Sequence, residues 1–326
     1  MKLQAPFIQL PLLFDAEALA REVLAIDESE WKPHPQGFAG NSMLPLVAVN
    51  GDPADETFAG RMLPTPYLRA CPYLAQVIAS FEAVVGRSRL MRLSGQAEVS
   101  RHFDQGYYWA DRVRVHVPIV TQPTVRFECA DMAINMAAGE CWIFDTWRMH
   151  RVINDADASR IHLVADTVGG SGFWDLVGRG RVHGAPQRGP WEPRRVLPVP
   201  GANAAFPLES FNVPVVMSPW EMKSHLGLLF GDALPHPQLQ QVQWLAAQLL
   251  RGWQGLWAQY GDGPAGHPHY RQLLDRFQRQ ALPLAEPILL NNNGGFMQAM
   301  RLLVLQSAIR DAGPQDSGEY GTADRG

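Results

Sequence analysis

The sequence predicts a mainly β core, a sandwich or barrel, followed by a C-terminal helical region. Between about residues 88 and 168, short runs rich in Val, Ile, Phe and Thr alternate with turn residues, which is typical of a meander of β-strands. After about residue 214 the strand pattern gives way to helical periodicity. With 326 residues, 46% of them hydrophobic, the chain is long enough for one large domain or one and a half.

Two short helices are predicted before the strand-rich region. Residues 15–26 follow an opening strand and place Leu19, Val23 and Leu24 at helical spacing behind an acidic first turn. A second helix is predicted at about 72–84. The predicted strands that follow are "RVRVHVPIV", "TVRFEC", "MAINM", "CWIFD" and "SRIHLVADTV".

The C-terminal third of the chain is predicted to be helical. Residues 238–260 carry an apolar stripe at helical spacing, and "FMQAMRLLVLQSAIRDAG" is predicted to be one amphipathic helix ending at Gly313. The predicted organisation has four parts: a β domain with N-terminal helices at 1–178, a linker or extended wrap at 179–214, a helical domain at 215–312 and a disordered tail at 313–326.

Composition excludes several classes of partner. A net charge of −4 without a long basic run is not expected of a nucleic-acid-binding surface. No apolar stretch approaches the roughly 20 residues of a membrane span, and the N-terminus does not resemble a signal peptide. The three cysteines, Cys71, Cys129 and Cys141, show no CxxC spacing, which suits a reducing compartment. We therefore expect a cytoplasmic protein without nucleic-acid or membrane partners; its oligomeric state cannot be predicted.

The stretch "SRHFDQ" supplies two candidate metal ligands. Alternate side chains of a strand share a face, so His102 and Asp104 point the same way and Phe103 points the other way. Two imidazoles and one carboxylate form the facial triad of non-haem Fe(II) enzymes. The best-placed third ligand is His150, which follows a predicted buried strand and a turn. Taken alone, a His-x-Asp pair is weak evidence, because many histidines have an acidic residue two positions away.

Several basic residues lie where an anionic ligand would need them. Arg160 begins a strand ten residues after His150, and an Fe(II) enzyme that uses 2-oxoglutarate needs such a cation for the far carboxylate of that molecule. In "DRVRVHVPIV", Arg112, Arg114 and His116 share one face, opposite a face of valines. On an edge strand this polar face would be solvated, whereas in the middle of a barrel it would line a pocket.

The ordered set of motifs resembles a known family. "RLS" (92–94), "HFD" (102–104), "DRVRVHVPI" (111–119), "GECWIFDTWRMHRVINDADASR" (139–160) and "VAD" (164–166) are similar to motifs of the aspartyl/asparaginyl β-hydroxylase family of Fe(II)/2-oxoglutarate-dependent oxygenases, which includes bacterial cis-proline hydroxylases. The resemblance covers about a quarter of the chain. It implies a double-stranded β-helix (jelly-roll, cupin-like) fold and the use of Fe(II), 2-oxoglutarate and O2.

Carried over residue by residue, the resemblance assigns roles to seven residues. It makes His102, Asp104 and His150 the iron ligands and Arg160 the anchor for the distal carboxylate of 2-oxoglutarate. Arg114, His116 and Ser94 are the further expected cosubstrate contacts. His162, which shares a strand face with Arg160, is expected to be a core histidine with a satisfied hydrogen bond.

The expected activity is hydroxylation of an unactivated C–H bond in an amino-acid-like small molecule, with a free amino acid favoured. Arg112 is the first candidate to hold the substrate carboxylate, and the 37–51 stretch is expected to contribute to specificity. Three alternatives stay open: the same chemistry on a peptide, carrier-bound or lipid substrate, a non-catalytic cupin-like binding protein, and an Mn or Zn isomerase built on the same barrel.

Overall fold

The structure, a computed structural model, describes residues 1–35, 37–186, 189–310 and 321–322. The chain forms two compact units. The first consists of Met1–Phe103 and Asp111–Asn212, and the second of Asp104–Ala110 and Val213–Gly326. The predicted tail at 313–326 lies outside the described residues except for the short strand Gly321–Thr322.

The described residues of the first unit form fourteen strands and four α-helices. The helices are α1 (Ala16–Leu24), α2 (Pro66–Ala70), α3 (Pro72–Ala79) and α5 (Ser171–Gly178), while α4 (Tyr107–Ala110) belongs to the second unit. The strands are β1 (Phe7–Phe14), β2 (Lys32–Pro33), β3 (Asn41–Val49), β4 (Met62–Pro64), β5 (Val84–Leu93), β6 (Ala97–Phe103), β7 (Val113–Val120), β8 (Val125–Cys129), β9 (Met132–Ile134), β10 (Glu140–Phe144), β11 (His150–Asn154), β12 (Arg160–Gly169), β13 (Arg181–Val182) and β14 (Arg194–Val196).

Strands β5 to β12 build a double-stranded β-helix. The larger sheet has the order β13-β1-β10-β7-β12-β5-β3-β2, and the smaller sheet contains β6-β11-β8-β9. The chain therefore passes repeatedly from one sheet to the other, and neighbouring core strands are antiparallel. The structure confirms the predicted fold class, and β7 lies in the interior of its sheet, between β10 and β12.

Alternation along the central strands separates an apolar face from a polar one. Val113, Val115 and Val117 of β7 belong to the core cluster formed with α1 and α3, and burying each such side chain contributes about 1.5–3 kcal/mol. Arg114 and His116 lie on the opposite face and are nevertheless buried. The polar face of β7 is therefore not a solvated surface but part of the barrel interior.

The segment after α5 follows the edge of the larger sheet. Strand β13 pairs with β1 antiparallel, and β14 pairs with β1 parallel. Further on, the backbone of Val85 is bridged to Leu208. Residues predicted as a linker or extended wrap thus supply backbone partners to the edge strand β1 and to β5, which satisfies hydrogen-bonding groups that would otherwise be open.

The second unit is helical. Its long helices are α6 (Pro219–Asp232), α7 (Leu239–Tyr260) and α8 (His267–Ala285), followed by the short α9 (Phe296–Met300). Trp253 of α7 lies 4.3 Å, centroid to centroid, from Tyr270 of α8, and its Nε1 donates to the Met217 carbonyl at 2.8 Å. No helix in the described part of the chain is both long and apolar enough to span a membrane.

The prediction of one helix from residue 296 to Gly313 is wrong. After α9 the chain forms a π-helical turn at Arg301–Leu305, and the backbone of Ile309 then bridges to Val216. The amide of Arg310 donates to the Val215 carbonyl at 2.8 Å. The backbone groups that would continue the helix are therefore paired with the segment before α6, a long-range interaction that helical periodicity does not reveal.

Candidate active site

The three predicted metal ligands come together at the ends of two paired strands. His102 lies near the end of β6, directly opposite His150 at the start of β11, and their rings are 4.2 Å apart. Asp104 follows directly after β6. One ligand atom from each of the three side chains lies within 4.8 Å of the others, and all three residues are buried.

Both imidazoles are oriented by their own backbone. Nδ1 of His102 lies 2.8 Å from the Ser100 carbonyl, and Nδ1 of His150 lies 2.8 Å from the Arg148 carbonyl. A carbonyl only accepts hydrogen bonds, so Nδ1 carries the proton and Nε2 presents its lone pair to the centre of the triad. Burial, with a smaller contribution from His102, lowers the pKa of His150 well below its ordinary value, which favours the neutral form that binds metal.

Aromatic rings surround the two histidines. Phe144 lies 4.9 Å from His150 by ring centroids, and Phe127 stacks on the same ring at 6.4 Å. Phe38, which belongs to the 37–51 stretch expected to contribute to specificity, lies 6.2 Å from His102 by ring centroids. These contacts fix the rings of the two ligands and limit access of water to them.

Arg160 is a buried cation without a carboxylate partner among the described residues. It is 4% exposed, and its Nε has no hydrogen-bond partner in the described part of the chain. Burial lowers the pKa of its guanidinium to about 9, so the group remains largely charged at neutral pH. An unpaired buried charge is costly, and an anionic ligand would remove that cost.

The other expected cosubstrate contacts lie on neighbouring strands. Nε of Arg114 donates to Asp166 Oδ1 at 3.3 Å, across β7 and β12. His116 lies 5.3 Å from Phe144 by ring centroids. Ser94 follows Leu93, the residue of β5 that pairs with Arg160, and is half-buried. The roles of these three residues stay predictions.

Arg112 is already held by a carboxylate. Its Nε and Nη2 donate to the two carboxylate oxygens of Glu209 at 2.9 and 3.0 Å, and both side chains are buried. This bidentate pair neutralises the guanidinium that was expected to hold the substrate carboxylate. The substrate role of Arg112 stays an untested prediction, and its pairing with Glu209 makes it less available for a substrate carboxylate.

The Arg112–Glu209 pair is expected to matter for stability. Glu209→Ala should lower the free energy of unfolding by about 3–5 kcal/mol, because it leaves a buried guanidinium without its carboxylate. The double variant Arg112→Met/Glu209→Leu should recover much of that loss, since both charges are removed. Chemical denaturation of the two variants measures the difference. A Glu209→Ala protein as stable as the original would contradict the buried ion pair.

Two residues facing the barrel interior were not predicted as site residues. Arg89 lies on the same face of β5 as Leu93 and is 4% exposed. Among the described residues, its guanidinium donates only to the sulfur of Met43, at 3.8 Å. Burial and the nearby Arg89 lower the pKa of His34 to about 3, so its imidazole is neutral. The alternation of "GRSRLMRL" could have indicated Arg89; His34 lies in a loop without such a signal.

The fold and the donor set together define a class of site. A buried pair of imidazoles and one carboxylate, at the end of a double-stranded β-helix, is the 2-His-1-carboxylate arrangement of non-haem Fe(II) oxygenases, which leaves positions open for other ligands. Residues 58–169 match the family model described as Aspartyl/Asparaginyl beta-hydroxylase. The match confirms the predicted resemblance to this family.

Individual known proteins are similar to parts of this chain. The chain is 25% identical over 171 residues to L-proline cis-3-hydroxylase 1 from Streptomyces sp., an alignment that covers 47% of this chain and 56% of the relative. A Pseudomonas putida prolyl-4-hydroxylase has a TM-score of 0.35 at 16% identity, covering 50% of this chain and 92% of that one. HygX from Streptomyces hygroscopicus, solved with nickel and 2-oxoglutarate, has a TM-score of 0.34 at 11% identity and coverages of 50% and 82%. Because these TM-scores are low, the fold assignment rests on the strand order.

Proposed function

We propose that this protein is an Fe(II)/2-oxoglutarate-dependent dioxygenase that hydroxylates an unactivated C–H bond of an amino-acid-like substrate. The observation that carries the proposal is the combination of a buried His-Asp-His triad with Arg160, a buried cation that has no carboxylate partner among the described residues. A metal site alone would also suit a binding protein. A buried cation in the same barrel supports a role for an anionic cosubstrate.

The chain's own residues have separate tasks in this reaction. His102, Asp104 and His150 would hold Fe(II), which, when bound with 2-oxoglutarate and O2, supplies the oxidation that converts C–H to C–OH with succinate and CO2 as co-products. The aromatic rings beside the triad limit access of water. Protein residues therefore bind, orient and shield the reactants, and the metal and cosubstrate supply the chemistry.

Arg160 would hold the distal carboxylate of 2-oxoglutarate. A guanidinium forms two parallel charge-assisted hydrogen bonds with a carboxylate, and no described carboxylate competes for Arg160. His116 and Arg114 lie on the adjacent strand β7, where they would contact the same molecule. Arg114 already donates a hydrogen bond to Asp166, so it is less available to the cosubstrate than Arg160 is.

Arg89 is a further cation of the barrel interior, which would hold the substrate carboxylate. On the paired strands β5 and β12, Arg89 lies opposite Val164. Arg160 lies opposite Leu93, four positions further along β5. The two arginines are thus separated by four strand positions, roughly 13 Å along the sheet, and would hold separate anions. A free amino acid carries such a carboxylate, and the relative named L-proline cis-3-hydroxylase supports this class of substrate.

The activity is tested by succinate formation with Fe(II), 2-oxoglutarate and a panel of free L-amino acids, run beside short peptides. Stimulation by a free amino acid, with a product heavier by one oxygen, is the expected result. Turnover only with the short peptides would contradict the free-amino-acid part. Binding of Fe(II) and 2-oxoglutarate without turnover on any of these substrates would favour the binding-protein alternative.

Arg89→Met is expected to lower amino-acid-stimulated turnover at least tenfold, while leaving the affinity for 2-oxoglutarate unchanged. The reason is that a charge-assisted hydrogen bond to the substrate is lost, worth about 1.5–3 kcal/mol, without touching the cosubstrate anchor. Substrate-dependent succinate formation and 2-oxoglutarate binding are measured side by side.

Arg92→Met is the matched control for Arg89→Met. Arg92 lies on the same strand, and its guanidinium pairs with the exposed Glu28 at 2.6 Å. This control should leave both measurements unchanged. An equal loss of turnover in the two variants, or a loss of 2-oxoglutarate binding in Arg89→Met, would remove Arg89 from the substrate role.

A further inference from the structure

His162 is a buried imidazole for which the fold provides no partner among the described residues. It is 2% exposed, and neither of its ring nitrogens has a hydrogen-bond partner in the described part of the chain. No described residue therefore supplies the hydrogen bond expected of a core histidine. Leaving a buried polar group unsatisfied costs about 1–3 kcal/mol, so His162 needs another explanation.

The position of His162 relates it to Arg160. The two residues lie two positions apart on β12, so their side chains share a face and are separated by roughly 7 Å at the backbone. Leu163, between them, belongs to the apolar cluster on the other side of the sheet. His162 and Arg160 therefore both face the barrel interior.

His116 extends this group across the sheet. Its ring centroid lies 5.8 Å from that of His162, and neither of its nitrogens has a partner among the described residues. Arg160, His162 and His116 thus form a polar cluster in which no described carboxylate accepts their hydrogen bonds. Every member of the cluster can donate, and an anion would satisfy all three.

His162 is neutral in the folded protein, and a neutral imidazole can still donate a hydrogen bond. Burial, and after it the nearby Arg160 and His116, lower the pKa of His162 well below its ordinary value. The ring is therefore neutral and carries one N–H donor and one acceptor nitrogen. It adds a hydrogen bond beside Arg160 without adding a second buried positive charge.

We propose that His162 is a cosubstrate-binding residue whose N–H donates to the distal carboxylate held by Arg160. This inference rests on the proposed function. A carboxylate offers about four acceptor sites, and a guanidinium fork occupies two of them, so an imidazole can bind the same group from the side. The neighbouring His116 would contact the ligand closer to the metal, because its ring also lies beside Phe144, which packs on His150.

The test compares His162→Phe with His162→Gln in protein loaded anaerobically with Fe(II). The probes are 2-oxoglutarate and 2-oxopentanoate, which has the same chain length but a methyl group in place of the distal carboxylate. His162→Phe should bind 2-oxoglutarate about tenfold more weakly and 2-oxopentanoate as the original protein does. His162→Gln, which keeps a donor, should recover part of the loss.

A second readout separates ligand binding from a structural role. Phenylalanine replaces an unsatisfied imidazole by an apolar ring of similar size, so metal-free His162→Phe should unfold at an unchanged or higher temperature. His183→Phe, at an exposed histidine of the same unit, is the control and should alter neither affinity.

Three results would overturn the inference: unchanged 2-oxoglutarate affinity in His162→Phe, equal losses for the two probes, or a lower unfolding temperature of the metal-free variant. Failure of the proposed function has a different signature. In that case the original Fe(II)-loaded protein would itself fail to bind 2-oxoglutarate.

Discussion

Alanine in place of His150 is expected to lower the affinity of the protein for Fe(II) by about 100-fold or more and to abolish turnover. Removing a group that only hydrogen-bonds to a metal ligand already lowers metal affinity or activity about 10- to 100-fold. Here a ligand itself is removed. The His102→Ala variant should behave in the same way, because its ring faces that of His150 at 4.2 Å. Anaerobic titration with Fe(II) measures both affinities.

The control for these variants is His269→Ala, which removes an exposed imidazole that stacks on Tyr260 in the helical unit. It should bind Fe(II) as the original protein does. Affinity like that of the original protein in both His102→Ala and His150→Ala would contradict the triad assignment.

Replacing Arg160 by alanine is expected to weaken 2-oxoglutarate binding by about 10- to 100-fold while Fe(II) stays bound. The range follows from the loss of charge-assisted hydrogen bonds worth about 1.5–3 kcal/mol. The affinity of Arg160→Lys for 2-oxoglutarate should lie between those of the original protein and Arg160→Ala, because an ammonium keeps the charge but loses the planar fork. Binding of 2-oxoglutarate to the Fe(II)-loaded variants is the measurement.

A folding control accompanies the Arg160 variants. Metal-free Arg160→Met removes a buried charge that no described carboxylate neutralises, so its unfolding temperature should not fall. Unchanged 2-oxoglutarate affinity in Arg160→Ala would show that another cation is the anchor, with Arg114 the first to examine.

Local patterns predicted much of the barrel. The alternation in "DRVRVHVPIV" predicted a strand with a valine face and a basic face, and β7 has both, with Val115 in the core cluster and Arg114 buried on the other side. The helix predicted at 15–26 begins after Asp15, whose carboxylate caps it by accepting from the Ala18 amide at 2.9 Å. In these segments the residues that determine the structure are close in sequence.

Long-range pairing was not predictable from such patterns. Glu209 neutralises Arg112 from 97 positions away, and neither residue's neighbours in sequence indicate the other. The end of the last helix is likewise determined by pairing of Arg310 with Val215.

In the candidate site, too, local sequence patterns identified some residues and not others. His102 and Asp104 were found from strand alternation, and His150 from its position after a strand and turn. For His162, the sequence does not show whether its ring nitrogens find a partner in the fold. Only the register of β12 with β7 shows that it lies in a cluster of groups that need an acceptor.

If the triad and Arg160 form one site for Fe(II) and 2-oxoglutarate, an anaerobic optical titration will detect both ligands in the same protein. Fe(II)-loaded protein is titrated with 2-oxoglutarate while the visible charge-transfer absorption of a 2-oxo acid chelated to Fe(II) is recorded. We expect a band that saturates at one equivalent per chain, is lost in His150→Ala, and needs a higher 2-oxoglutarate concentration in Arg160→Ala. Absence of the band in the original protein, at an Fe(II) loading of one ion per chain, would show that the triad and Arg160 do not form such a site.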